Sequence, residues 1–579
     1  MRDCNIIPNN GLEEELPDNG YKCIYKEVVI IGNGPSGITL SYLLSGHSPY
    51  YNRIPHPDPM LSARLIECSQ KSLLHQDLAF LSQGIEGRSR NPVSLLIDSM
   101  THPGADSGLE WPSLLTWKKS RKCMDHIVLG KGLPGGTWQG ITDQVLTISP
   151  GRWMALPGLE FKEYKFQRAP ASAVASYYLE YIKKHDLSSK MAPNTTVTLI
   201  QPLVSMPKRR ARWRVWVNNG NGGTVNYECR HLILATGSSD KAGCLGVPGE
   251  SFSFISHDLR GLEERLSLVE KISSLDTPKR YEDAKMSSSL DNIGNFKAKE
   301  NVLRSTDNIS RPVRNSSFCE TDLKRLRDGY DLETKRGAKR LGSAAPPKNV
   351  FQSDVKSVEN LNKVDDNFWT SLGEKDKVRH QSLGELSEGE QDLKRLPVLV
   401  VGAGLSAADA ILTARRRNFP VVHAFRRTPA PAQLPPVMYP EYNEVYQLMQ
   451  GMTESPDYRS LPGYQVTEFF DDTTVRLTNS SGSPKTLKIS AAAILIGSQP
   501  DLSFLPKKLR NLGIDVNKPV DCKVNPVHID PFSYKCLRAH PGLYALGPLV
   551  GDNFVRFLQG GAVAIASHIL KENNLQNTT

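Results

Sequence analysis

Four consecutive apolar residues, Val28–Ile31, end at the glycine-rich sequence GNGPSG of positions 32–37. A short apolar run without alternation predicts a buried parallel strand, and Ser36–Leu44 predicts a helix after the turn. This order is typical of a Rossmann unit, in which the first glycine allows the turn, the second lets backbone approach a pyrophosphate and the third lets the helix pack on the strand. The phosphates would lie at the helix N-terminus. The predicted cofactor-binding residues of this turn are Gly32, Gly34, Pro35, Ser36 and Gly37.

An acid that holds a ribose hydroxyl is expected at the end of the following strand. Ala63–Glu67 is interpreted as that strand, because Glu67 ends an apolar run. The separation from the turn exceeds the usual ~20 residues, and His47–Met60 is interpreted as an added loop. Glu67 is therefore predicted to bind the adenosine ribose. The alternative is an unrelated α/β domain with a glycine turn and an exposed Glu.

The same pattern returns late in the chain. Val398–Val401 predicts a second buried strand, and GAGLSA at 402–407 predicts a second cofactor turn. A helix to Arg417 and a strand Val421–Phe425 follow, and arginines stand where the first unit has Glu67. A guanidinium pairs with a 2′-phosphate, whereas an acid repels it, so we expect FAD on the first unit and NADPH on the second. Two surface arginines at a strand end are the alternative. The predicted binding residues are Gly402, Gly404, Ser406, Ala407, Arg426 and Arg427.

Three further glycine-containing segments are candidates for contact with a flavin. GGTW at 135–138 follows a predicted strand, Asp125–Gly130, and a plain turn with a core Trp remains open there. The predicted strand His231–Gly237 ends in Ala-Thr-Gly, and the predicted strand Gly542–Gly547 precedes a helix whose N-terminus could face the pyrimidine edge of a flavin. The candidate residues are Gly136, Thr137, Trp138, Ala235, Thr236, Gly237, Gly547 and Asp552.

The predicted fold class is α/β, with two Rossmann-like dinucleotide-binding domains for FAD and NADPH, β-meander insertions and a long disordered insert. The insert is predicted because 256–394 is polar and poor in aromatic residues. The predicted domains are a flexible N-terminus (1–25), the first part of the FAD-binding domain (26–255), the insertion (256–394), the NADPH-binding domain (395–505) and the C-terminal part of the FAD-binding domain (506–579).

Charge and cysteine content narrow the classes of partner. The chain has 71 Lys and Arg against 61 Asp and Glu, a net charge of +10, but no basic stripe interleaved with aromatics, so no nucleic-acid partner is predicted. Nine cysteines without a CxxC or a metal-type pair predict reduced thiols, no metal site and no disulfide reductase. The acidic, polar N-terminus predicts no signal or transit peptide, and no apolar run approaches the ~20 residues of a membrane span. The predicted location is cytoplasmic, with the nucleus also open.

The motifs stand in the order found in flavin-dependent monooxygenases: GNGPSG, GGTW, LILATG, VVGAGLSAAD followed by FRR, and YALG. The chain resembles that group. Within it the chain resembles the oxidative stress-induced growth inhibitor family, through WMALPGLEF (153–161) and GPLVGDNFVRFLQGGA (547–562). The resemblance implies a role in growth arrest, differentiation and cell death. It also implies NADPH-dependent monooxygenase activity on a small molecule or a protein side chain, with dioxygen.

Two positions depart from the monooxygenase pattern. The signature Phe-x-Gly-x-x-x-His is matched in GVPGESFSFISHDL by His257 alone, and Gly547-Pro548 replaces the usual Gly-Asp, which leaves Asp552 as a substitute. No catalytic side chain is predicted, because the cofactor carries the chemistry. The alternative function is a catalytically weak flavoprotein that acts as a redox-responsive regulatory module, with the insertion recruiting protein partners.

Overall fold

The computed structural model describes residues 23–67, 70–109, 111–204, 210–220, 224–275, 396–427 and 434–577. Two buried apolar clusters organise these residues, one around Val28–Ile31 and one around Val398–Val401. Residues 1–22, most of the predicted flexible N-terminus, lie outside the described residues, as do residues 276–394 of the predicted insertion and residue 395. Residues 23–25, also predicted to be flexible, already belong to the first strand.

The described elements are numbered along the chain. The helices are α1 (Pro35–Leu44), α2 (Pro59–Glu67), α3 (Leu78–Leu81), α4 (Pro92–Thr101), α5 (Gly151–Met154), α6 (Ala171–Lys184), α7 (Leu259–Leu275), α8 (Leu405–Arg416), α9 (Pro440–Gln450) and α10 (Val555–Asn577). The strands are β1 (Cys23–Ile31), β2 (His47–Tyr51), β3 (Leu115–Lys119), β4 (His126–Leu129), β5 (Leu146–Pro150), β6 (Arg168–Pro170), β7 (Met191–Ala192), β8 (Thr195–Pro202), β9 (Trp213–Asn219), β10 (Thr224–Leu234), β11 (Lys241–Ala242), β12 (Ile255–Ser256), β13 (Val398–Val401), β14 (Val421–Phe425), β15 (Tyr458–Pro462), β16 (Gln465–Phe469), β17 (Thr474–Thr478), β18 (Pro484–Lys488), β19 (Ala491–Ile494), β20 (Ser498–Gln499) and β21 (Leu543–Ala545).

The first sheet is a parallel core with an antiparallel extension. Its strand order is β7-β4-β1-β10-β9-β8, and β21 pairs with β10. β1 pairs in parallel with β4 and β10, while β8, β9 and β10 form an antiparallel meander. The apolar run Val28–Ile31 is buried, as expected for a parallel strand with both faces covered.

The second sheet is entirely parallel, in the order β12-β19-β13-β14-β15. A separate antiparallel meander, β16-β17-β18, is inserted between β15 and β19. The predicted fold class of two Rossmann-like units with meander insertions is confirmed. Among the described residues, no helix is both long enough and apolar enough to span a bilayer.

Helix α7 corrects the start of the predicted insertion. Residues 256–275 were predicted to be disordered, but Leu262, Leu266 and Val269 of α7 are fully buried in the second apolar cluster. These positions recur at intervals of four and three residues, so they share one face of the helix. The low average hydrophobicity of the segment concealed this face.

The segment between α1 and β4 also differs from the prediction. His47–Met60 was interpreted as a loop, but it contains β2, which pairs with β3 in an antiparallel ribbon, and the first two residues of α2. Roughly eighty residues therefore separate the first helix from the next strand of the parallel core.

Candidate functional site

The turn after β1 packs closely at its first and third glycines. Gly32 has a φ of +116°, and a Cβ there would lie 2.1 Å from the carbonyl oxygen of Ala235. A Cβ at Gly37 would lie 2.0 Å from the carbonyl oxygen of Gly32, so only glycine lets α1 approach the strand. At Gly34 the space is open, because the nearest atom to a Cβ would be the α-carbon of Gly136 at 3.9 Å. The backbone beside the N-terminus of α1 is therefore accessible, as a pyrophosphate site requires.

The GGTW segment lies directly against this turn. Gly135 N donates to the carbonyl oxygen of Asn33 at 2.9 Å, and a Cβ at Gly136 would lie 3.0 Å from the α-carbon of Gly34. The Asn33 amide also donates to the carbonyl oxygen of Gly132 at 2.8 Å, so the second residue of GNGPSG joins the two segments. Thr137 is exposed, and Trp138 is partly buried against the first apolar cluster. Asn33 was not predicted to have any role.

Two more predicted segments reach the same turn. Ala235 N donates to the carbonyl oxygen of Ile31 at 2.8 Å, which sets Ala235–Gly237 at the carboxyl end of β10 beside the turn. The Thr236 hydroxyl is buried and has no hydrogen-bond partner among the described residues. A Cβ at Gly547 would lie 2.3 Å from the hydroxyl oxygen of Ser36, so the C-terminal segment closes over the start of α1. The fold thus brings together four segments that are far apart in sequence.

The interpretation of Ala63–Glu67 as a strand is wrong. These residues form the end of α2, where Leu61 and Leu65 are buried and Glu67 is exposed. The strand beside β1 is β4, with Val28 opposite His126 and Ile31 opposite Leu129. The apolar pair at 61 and 65 has helical spacing, which a five-residue window could not distinguish from a strand.

No acid follows β4 at the position predicted for Glu67. The chain continues as Gly130-Lys131, and the Lys131 ammonium lies 3.2 Å from a carboxylate oxygen of Asp240 and 3.6 Å from one of Asp501. A Cβ at Gly130 would lie 2.1 Å from the Asn33 side chain, so even a small side chain would displace Asn33. The useful sequence signal was that the strand 126–129 is separated from GGTW by only five residues, 130–134.

Asp552 does not face the cofactor turn as a free carboxylate. Its side chain is fully buried and accepts hydrogen bonds from Ser89 Oγ at 2.7 Å, Ser94 Oγ at 2.9 Å and Tyr534 OH at 3.0 Å. Burial raises the pKa of Asp552 to about 6. Its oxygens therefore hold Tyr534 and the start of α4, and the role of Asp552 as a substitute for a ribityl-binding Asp stays a prediction.

The second turn has the same arrangement as the first. Gly402 has a φ of +130°, a Cβ there would lie 2.2 Å from the carbonyl oxygen of Leu495, and a Cβ at Gly404 would have no atom within 4 Å. Ala407 is buried, whereas Ser406 is exposed. Arg426 and Arg427 are exposed directly after β14, the parallel neighbour of β13, so they lie at the same sheet edge as the turn.

His423 supports this second turn and was missed by the sequence analysis. It is fully buried in β14, donates from Nε2 to the carbonyl oxygen of Gly402, and accepts at Nδ1 from Tyr458 OH at 2.8 Å. Burial lowers the pKa of His423 to about 4, which fits a neutral imidazole with these two bonds. His423 has a positioning role, because its hydrogen bond to Gly402 connects β14 to the first glycine of the turn.

The two units are joined by paired segments. β11 pairs with β20 in an antiparallel ribbon, and Gly243 N donates to the carbonyl oxygen of Gly497 at 2.8 Å. Asp501 accepts from Lys241 at 3.0 Å next to this ribbon. The ends of both predicted Gly-terminated strands, at Gly237 and Gly497, therefore lead into one ribbon.

Comparison with known proteins places the chain in a family. It is 34% identical over 575 residues to oxidative stress-induced growth inhibitor 1 of Mus musculus, covering 94% of this chain and 95% of that protein. The chain belongs to the oxidative stress-induced growth inhibitor family. The human oxidative stress-induced growth inhibitor 2 is 33% identical over 584 residues, covering 93% of this chain and 92% of that protein. The resemblance inferred from the sequence is thereby confirmed.

The chain was also compared with protein-family models and with solved structures. No protein-family model matches the chain. Among solved structures, the bacillithiol disulfide reductase Bdr (YpdA) from Bacillus cereus aligns with a TM-score of 0.49 and 12% identity, over 95% of this chain and 99% of that one.

The two segments that carried the resemblance to the growth inhibitor family contact each other. The Arg556 guanidinium lies 5.0 Å from the centre of the Trp153 ring, and Gln559 Nε2 donates to the carbonyl oxygen of Ala155 at 3.3 Å. Tyr177 OH donates to the carbonyl oxygen of Leu159 at 2.7 Å and accepts from Leu156 N at 2.8 Å, which fixes the first segment on α6. The second segment includes the first residues of α10, so the first segment packs against the start of this helix.

Proposed function

We propose that this chain is an FAD- and NADPH-dependent oxidoreductase of the monooxygenase type that takes part in regulating cell growth, differentiation and cell death. The observation that carries the proposal is the approach of the Gly34 and Gly136 backbones at the N-terminus of α1. The names of the relatives, which refer to oxidative stress and growth inhibition, support the regulatory part. The location in the cytoplasm, with the nucleus as the alternative, stays a prediction.

The residues of the first turn fit an FAD pyrophosphate and flavin. A side chain at Gly136 would fill the space between the GGTW segment and Gly34 of the first turn. The unpaired Thr236 hydroxyl can form a hydrogen bond with a ligand. Gly32–Gly37 would hold the pyrophosphate, and Gly136–Trp138, Ala235–Gly237 and Gly547 would surround the flavin. Bound FAD supplies two-electron redox chemistry, while the protein supplies position and exclusion of water. Glu67 is withdrawn from this set because it lies on α2, whereas a contact from Asp552 stays a prediction.

The second turn fits the pyrophosphate of NADPH. Gly404 offers open backbone, Ser406 is exposed at the start of α8, and Arg426 and Arg427 end the neighbouring strand. A guanidinium at this position pairs with the 2′-phosphate that distinguishes NADPH from NADH. Dioxygen and a small-molecule or protein side-chain substrate complete the proposed reaction.

The alternative is a catalytically weak flavoprotein that acts as a redox-responsive regulatory or interaction module. Two observations favour it: no acid follows β4, and the Asp552 carboxylate is occupied by three hydroxyl groups. Both reduce the number of polar contacts available to FAD. Protein partners recruited through the predicted insertion belong to this alternative.

Flavin content and flavin reduction separate these functions. We expect the purified full chain to absorb as a flavoprotein, to release FAD on denaturation, and to be reduced anaerobically faster by NADPH than by NADH. Oxidation of NADPH in air, with oxygen transfer to a substrate, would support the enzyme. Bound flavin that neither nucleotide reduces would support the module, and protein without flavin would refute both.

A further inference from the structure

The loop between the two units carries a cluster of metal-ligand side chains. Among the described residues, the ligand atoms of Cys244, Glu250 and His257 all lie within 4.8 Å of one another. Cys244 and Glu250 lie in the connection from β11, in the ribbon between the units, to β12, in the second sheet, and His257 directly follows β12. The cluster is separate from both glycine turns and does not depend on FAD or NADPH binding.

Glu250 holds this loop in shape. Its Oε1 accepts from Leu245 N at 2.8 Å and from His257 Nε2 at 3.0 Å, and its Oε2 accepts from Gly246 N at 2.7 Å. The Glu250 and His257 side chains are 11% and 26% exposed, while Cys244 is exposed. Two ligands are therefore fixed by the protein, while the exposed Cys244 thiol donates to the carbonyl oxygen of Ala242 at 3.7 Å, a weak bond that side-chain rotation can exchange for a metal.

The ligand types and their spacing fit a zinc-like divalent ion. Cys sulfur, His nitrogen and carboxylate oxygen are the usual protein ligands of Zn²⁺. In a tetrahedral site with ligands at 2.0–2.1 Å, nitrogen and oxygen are about 3.3 Å apart, close to the 3.0 Å between His257 Nε2 and Glu250 Oε1. The sulfur must approach to about 3.6 Å, which rotation of the exposed Cys244 side chain allows.

We propose that Cys244, Glu250 and His257 form a binding site for one divalent zinc-like ion, with a fourth position open to water. On binding, the Cys244 thiol loses its proton to solvent and the sulfur ligates the ion as a thiolate. The imidazole proton moves from Nε2 to Nδ1, so the ion takes the place of the hydrogen bond between His257 and Glu250. No oxidant or reductant is required.

The position of the site predicts its effect on the fold. Gly243, next to Cys244, bonds to Gly497 in the other connection between the units, while Ser256, next to His257, lies in β12 of the second sheet. An ion held by Cys244 and His257 would tie the start of this connection to its end. Because it binds the folded state, it should raise the thermal unfolding temperature.

Metal titration of the full chain tests the site with zinc alone as the probe. Chelator-treated, reduced protein is titrated with Zn²⁺ in competition with a chromophoric chelator, and separately with Co²⁺, whose thiolate charge-transfer absorption reports sulfur ligation. We expect one tight equivalent, a charge-transfer band and a higher unfolding temperature with zinc. Cys244→Ser and His257→Ala should each remove the tight equivalent, and Cys244→Ser should remove the band.

Cys123→Ser is the matched control, because Cys123 is also exposed but is not part of the cluster. It should retain the tight equivalent and the band. Cys244→Ser changes one exposed atom, so it should fold, and the unfolding temperature of the metal-free protein verifies this. Equal zinc binding by wild type and Cys244→Ser, or equal loss in Cys123→Ser, would overturn the proposal.

Discussion

Gly34 offers the sharpest test of cofactor binding, because a methyl group there meets no protein atom closely. A Cβ would have only the α-carbon of Gly136 nearby, at 3.9 Å, and the backbone angles of −74° and −176° suit any residue. Gly34→Ala should therefore leave the metal- and cofactor-free fold unstrained. With FAD present, the same methyl group would stand where the backbone must approach the pyrophosphate.

The expected magnitude follows from the contacts that are lost. The methyl carbon added by Gly34→Ala needs about 3.5–4.0 Å to any non-bonded atom. A phosphate oxygen can therefore no longer stay within hydrogen-bond distance of the turn. Losing one charge-assisted hydrogen bond costs about 1.5–3 kcal/mol, or about 10- to 150-fold in the FAD dissociation constant. Titration of the deflavinated protein with FAD measures that constant, and urea unfolding of the same protein measures whether the fold is unchanged.

Two glycine variants act as controls for this result. Gly404→Ala makes the same change at the open position of the second turn, where a Cβ has no atom within 4 Å, so it should retain FAD and weaken NADPH. Gly37→Ala places a Cβ 2.0 Å from the carbonyl oxygen of Gly32, so it should destabilise the fold with or without FAD. If Gly34→Ala binds FAD as tightly as wild type, the phosphates do not lie against this turn and the reasoning is refuted.

Three further predictions concern other parts of the chain. Arg426→Ala should narrow the preference for NADPH over NADH in anaerobic stopped-flow flavin reduction by about 10- to 150-fold, because one charge-assisted contact is lost. Arg416→Ala, at the other end of α8, should leave this preference unchanged. Equal rates of reduction by both nucleotides in wild type would contradict the assignment. Burial raises the pKa of Asp552 from 3.8 to about 6, so the folded state holds its proton more tightly than the unfolded state, and stability is lost as the pH rises from about 4 to 6. The free energy of unfolding of wild type should fall by about 3 kcal/mol relative to Asp552→Asn over this range, and parallel curves in urea unfolding would show that Asp552 does not titrate there. Deletion of 279–389 should leave the flavin content and unfolding temperature of the remaining chain unchanged. Deletion of 259–389 also removes Leu262, Leu266 and Val269 from the core and should lower the free energy of unfolding by about 5–9 kcal/mol. Similar unfolding temperatures for the two deletion variants would show that α7 is dispensable.

The two strand-turn-helix units and the segments that meet them can be recognised from residue type and order alone. Val28–Ile31 and Val398–Val401 are apolar without alternation, which suits only a strand covered on both faces. Gly32 and Gly402 stand where the backbone needs a positive φ and where a Cβ would strike a carbonyl oxygen of the neighbouring strand. These requirements are local, so residue type and order are enough to recognise them.

Which segments become neighbours depends on packing across the whole chain. Only the sheet pairing shows that β4, rather than Ala63–Glu67, lies beside β1, and only packing shows that Asp552 is enclosed by hydroxyl groups and that α7 belongs to the second unit. The approach of Cys244 to His257 likewise depends on the loop that Glu250 organises. Partners across a sheet or a loop are chosen by the burial and hydrogen bonding of the whole chain, and a short segment such as Ala63–Glu67 carries too few side chains to specify its own.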